Sequence, residues 1–97
     1  MTAPSRIRFE IRVLGVATAE TLHFDDVAVR GEPLPKVGDT AGPLRSMAGW
    51  RRVIAVEPAL ALPPVAAVIH LEPIDCSQHE RDYDAEVAAL RAAGWRT

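Results

Sequence analysis

The residues best suited to chemistry by type fall in one short stretch, "HLEPIDCSQH", which holds His70, Asp75, Cys76 and His79. Zinc accepts thiolate, imidazole and carboxylate ligands in a tetrahedron, so these four form a conceivable set. Structural zinc sites normally draw on two separated ligand pairs. Here both halves lie within ten residues, one of them on a strand face. An isolated small cysteine and solvent-facing histidines near a helix start account for the same residues, and the expectation is no metal and no cofactor. Nucleophilic chemistry would use Cys76 with His79 as its base, because a thiolate is stabilised near a helix N-terminus. No residue is spaced to orient that histidine, and no oxyanion pocket follows from the sequence.

The carboxylates Asp25, Asp26 and Asp39 are the candidates for acid–base work. Neighbours on a strand point to opposite faces, so Asp25 and Asp26 share a reacting centre only if a bulge turns one of them. Solvent-facing or turn carboxylates are the simpler expectation, and no catalytic residue is assigned.

Binding has better raw material. Arg6, Arg8 and Arg12 alternate along one segment, and "GWRR" places Trp50 beside Arg51 and Arg52. Single-strand nucleic-acid binders combine such cations with stacking platforms. Glu10 interrupts the arginine row, the net charge is −2, and the aromatics are only two Trp, one Tyr and two Phe. Nucleic acid is therefore the alternative, and a small non-enzymatic protein-interaction or accessory module is the leading expectation. Its contact surface is expected at Trp50, Arg51, Arg52 and Trp95, since tryptophan and arginine are efficient interface anchors. Trp50 plugging one end of the sheet and Trp95 capping the core are equally consistent with the sequence. The partner is expected to be another protein or a second copy in a homodimer, the commonest symmetric assembly.

The elements that must position these residues are short strands followed by one helix. A chain of 97 residues with 48% hydrophobic and 25% charged residues is expected to form one small globular domain over 1–97. In "RIRFEIRV", Ile7, Phe9, Ile11 and Val13 alternate with charged residues, the pattern of a half-buried strand. A second strand is expected over 21–30, where the apolar parity changes from Leu22 and Phe24 to Val27 and Val29. A bulge or short turn near Asp25-Asp26 would restore it. A short strand is expected near Val37–Ala41, another at Trp50–Glu57 with unresolved face assignment, and a last one in "VAAVIHLE". Tyr83, Val87 and Leu90 then form the stripe of a helix over about 78–93. Ser77 with Glu80 fits a capping box, with Asp82 as alternative cap. Gly94 and Trp95 suit a Schellman motif at its end.

The fold expected is mainly β (α+β): a small curled antiparallel sheet, or a barrel, of four to five strands with one C-terminal helix. The piece "LPKVGD" before a later Val-rich strand resembles SH3-like small barrels as a class. That resemblance implies a shape and no activity. The start "MTAPSRIRFE" has no apolar h-region, and "ALALPPVAAVI" is short and broken by Pro63-Pro64, so no membrane segment and a cytoplasmic setting are expected.

Overall fold

The computed structural model describes residues 6–27, 34–43, 49–58 and 65–97. The chain is mainly β with one C-terminal helix, in the order β1 (Arg6–Leu14), β2 (Ala19–Val27), β3 (Thr40–Ala41), β4 (Arg51–Pro58), β5 (Val65–Leu71), β6 (Ile74–Asp75) and α1 (Glu80–Ala92). The six strands form one sheet in the order β2-β1-β5-β4-β3, with β6 beside β1. The sheet is not closed into a barrel.

The expected antiparallel sheet is in fact mixed. β1–β2, β3–β4 and β4–β5 pair antiparallel, whereas β5 and β6 both run parallel to β1. Ile7, Phe9, Ile11 and Val13 face inward as their alternation requires, and they meet Leu22, Val53, Ala67, Ile69 and Leu71 in the core. The helix lays Tyr83, Val87 and Leu90 on this face.

Two parity conflicts in the sequence are resolved differently. β1 and β2 pair without a register shift from Ala19 to Val27, so there is no bulge at Asp25-Asp26. Asp26 instead takes the inward position after Leu22 and Phe24, and only 4% of it is exposed. The expected continuation to Arg30, with Val29, lies outside the described residues. In β4 the register does shift between Val53 and Ala55. Ile54 is the extra residue, so Val53 and Val56 can both turn toward the core while Ile54 stays 49% exposed.

The helix begins between the two expected caps, after Ser77 and before Asp82. His79 is its N-cap residue and makes no side-chain capping bond. Ser77 donates its backbone N–H to Asp75 Oδ1 at 3.0 Å, an Asx-type turn before the helix. At the other end, Gly94 (φ +104°) donates to Arg91 O and Trp95 to Leu90 O, both at 3.0 Å. This pair of bonds is the Schellman motif that the Gly94-Trp95 pair suggests. The chain then lies against β2, where His23 and Arg96 exchange backbone hydrogen bonds of 2.7 and 2.9 Å.

Candidate functional site

The sheet has a core face and an outer face. Helix α1 packs on the core face, and no described helix or strand lies across the other. Alternation places Arg8, Glu10 and Arg12 of β1 on the outer face, opposite Asp25, His23 and Thr21 of β2. His70 lies beside Glu10, and the bulge brings Ile54 of β4 to the same surface.

Most charges on this face are matched. Arg8 Nε donates to Asp25 Oδ1 at 2.8 Å, with a second bond to Oδ2 at 3.2 Å. The guanidinium hydrogen bond holds the Asp25 carboxyl below its ordinary range, against an opposing effect of burial. Reciprocally, Asp25 raises the pKa of Arg8. His70 stands between two carboxylates, Nδ1 at 3.4 Å from Glu10 and Nε2 at 3.1 Å from Glu57. The second approach is close but lacks hydrogen-bond direction. Arg51 folds back as a clamp, donating to Glu72 O at 2.8 Å, Glu72 Oε1 at 3.0 Å and Pro73 O at 3.2 Å. Arg12 and Arg52 are exposed and make no ion pair among the described residues.

A depression of about 290 Å³ opens beside Ile54, lined by Arg12, Thr21, Leu71, Pro73, Glu10 and His70. Its origin is a break in the segment that runs along β1. Glu10 pairs with His70 and Val13 with Ile74, so 71–73 stand opposite only 11–12. Glu72 turns away and donates its N–H to Arg52 O at 2.7 Å, and Pro73 has no N–H to give.

The four residues expected at a contact surface separate. Trp50 is 39% exposed, its ring held by an Nε1 bond of 3.0 Å to Pro43 O. Arg52 is exposed beside it, whereas Arg51 is the clamp just described. Trp95 is only 2% exposed and packs edge-on against Phe24 at 5.8 Å, so it belongs to the core. Ile54, the residue that joins this surface, follows from the split parity of "WRRVIAVEP", which signals a bulge without locating it.

The chemical candidates do not converge. Asp25 faces outward to Arg8, Asp26 is buried, and Asp39 closes a turn by accepting the Lys36 N–H at 3.0 Å. Cys76 is buried, and burial together with Glu86, Asp82 and Asp75 pushes its thiol pKa up, away from an activated thiolate. His70 lies on the outer face, away from Cys76 in the core cluster. Among the described residues no group of three His, Cys, Asp or Glu could hold a metal ion. Nor is any described helix long and apolar enough to cross a membrane. Comparison with known proteins finds no matching family model, and no curated protein or solved structure similar to this chain.

Proposed function

We propose that the chain is a non-enzymatic protein-interaction module, working in the cytoplasm, that docks a partner protein along β4 on the outer face of the sheet. The observation that carries this reading is the stripe Trp50, Arg52, Ile54. Alternate positions of an extended segment share a face, and here they combine two exposed apolar side chains with a cation that has no ion-pair partner among the described residues. Among the described residues, four of the five exposed large hydrophobics, Leu34, Val37, Trp50 and Ile54, come from the β3–β4 side of the sheet and the segment leading to it. Arg51 and Trp95 support this surface from behind.

Nucleic acid fits the same face less well. Arg8 and Arg51 are already neutralised by Asp25 and Glu72, and Glu10 and Glu57 stand among the remaining cations. A homodimer through the stripe would set Arg52 near the Arg52 of its copy, so a separate partner is favoured.

The test compares wild type with the Trp50→Ala/Ile54→Ser double variant. Proteins captured from the source cell are purified and titrated against each. At least one should bind wild type directly and the folded double variant at least tenfold more weakly. Equal binding to both, or no captured protein that binds when pure, refutes the reading. A solution mass twice the 10.5 kDa of the chain, lost in the double variant, would assign the stripe to a homodimer instead.

A further inference from the structure

We infer that the depression beside Ile54 receives an acidic–apolar segment of a partner protein, with one large apolar side chain against Ile54 and Pro73 and a neighbouring carboxylate on Arg12. This inference rests on the interaction reading and specifies the chemistry of what binds.

Shape supplies the first argument. The break at 71–73 leaves a gap between β1 and β4, and the bulge sets Ile54 on its wall. At about 290 Å³ the space falls just below the range of small-molecule pockets and is suited to a single side chain of a larger ligand. Ile54 and Pro73 give that side chain an apolar surface, and Thr21 offers a hydroxyl at the rim.

Charge supplies the second. Arg8 on the outer face is matched with Asp25, and Arg51 behind it with Glu72, yet Arg12 is left without an ion pair among the described residues. Arg52, two residues before Ile54, is left in the same condition. Glu10 lines the depression but lies against His70. An approaching carboxylate therefore meets a cation that no described residue pairs with, beside the place where an apolar side chain is buried. Polyphosphate would set a charge on every unit against Glu10 and Glu57 and has no apolar group for Ile54 and Pro73, whereas a single carboxylate beside an apolar side chain needs only Arg12. A lysine-rich segment would be repelled at Arg12. Such complementarity sets specificity and encounter rate more than total affinity.

The experiment titrates ¹⁵N-labelled full chain with two capped hexapeptides, Gly-Asp-Leu-Asp-Leu-Gly and Gly-Lys-Leu-Lys-Leu-Gly, and follows amide shifts. The acidic peptide should perturb the amides of Arg12, Ile54, Leu71, Glu72 and Ile74, and the basic one should not. Arg12→Gln should weaken binding about tenfold, Arg12→Glu should transfer the preference to the basic peptide, and Arg81→Gln on the helix should change nothing. Retained amide dispersion in each variant separates lost binding from lost folding. Equal response to both peptides, no response at millimolar concentration, or undiminished binding to Arg12→Gln overturns the inference. A captured partner that perturbs Trp50 and Arg52 but not Arg12 or Leu71 would refute it while leaving the interaction reading intact.

Discussion

The indole of Trp95 lies against Gly49: a Cβ added at Gly49 would sit 2.5 Å from Cζ2 of that ring. Gly49 also has φ +87°, a region that L side chains avoid. The turn before β4 and the end of the chain thus share one close contact. Gly49→Ala should cost about 2–4 kcal/mol, from left-handed strain plus overpacking, and lower the melting temperature by about 10 °C or more. Gly42 provides the contrast. Its added Cβ would come equally close to Trp50, but that ring is half-exposed and can swing outward. Gly42→Ala should cost about 1 kcal/mol, the worth of the Trp50–Pro43 hydrogen bond. Equal losses measured by thermal melting would contradict this ranking.

The two tryptophans should separate in the same way. Trp95→Ala removes a buried ring that packs on Phe24 and should destabilise by about 3–5 kcal/mol. Trp50→Ala should cost less, about 2 kcal/mol, from the part of its ring that is covered and the bond to Pro43 O. Denaturant unfolding with a common slope checks both values. A larger loss for Trp50→Ala would place Trp50 in the core and remove the apolar anchor of the proposed stripe.

The elements with strong local periodicity are legible in the sequence. Ile7 to Val13 and Tyr83 to Leu90 carry their burial in their spacing, and Gly94 carries its cap in its conformational freedom. What periodicity cannot express is pairing between distant segments. Nothing local in "VAAVIHLE" distinguishes parallel from antiparallel contact with β1, and β6 is two residues long. The conflict around Asp26 shows the same limit. A buried carboxylate and a bulge leave identical traces in a hydrophobic pattern, and only the partner strand's register separates them. In the candidate site, Trp50 and Arg52 could be found by residue type. The depression could not, because it is made by a break in one strand, a bulge in another and the turn of Glu72 toward Arg52.

Cys76 should react slowly. Its thiol is buried, and Glu86, Asp82 and Asp75 further disfavour the thiolate. Since the thiolate is the reacting species, alkylation at pH 8 should be several-fold slower than that of a free peptide thiol. Unfolding should restore the ordinary rate. A rate in the folded protein above that of the peptide would reopen the case for Cys76 with His79 as a reactive pair.

Acid should test the Arg8–Asp25 link between β1 and β2. Hydrogen bonding from Arg8 lowers the folded-state pKa of Asp25 below its unfolded value, which is near 4. A carboxylate shifted in this direction binds fewer protons in the folded state than in the unfolded state across the intervening range. Its contribution to stability is therefore fully present above about pH 4 and is lost as pH falls through the lower folded value. The pair is partly exposed, with 24% of the Arg8 and 36% of the Asp25 side chain accessible, so solvent screening limits its worth. About 0.5 kcal/mol is the scale expected for a pair of this kind. Asp25→Asn should accordingly melt a few degrees below wild type at pH 6. The gap should narrow on acidification and close at the acid end, where the wild-type carboxyl is protonated as well. Melting curves of both proteins from pH 6 to pH 2.5 measure it, and a gap that stays constant or widens in acid would show that Asp25 stabilises the sheet by something other than its charge.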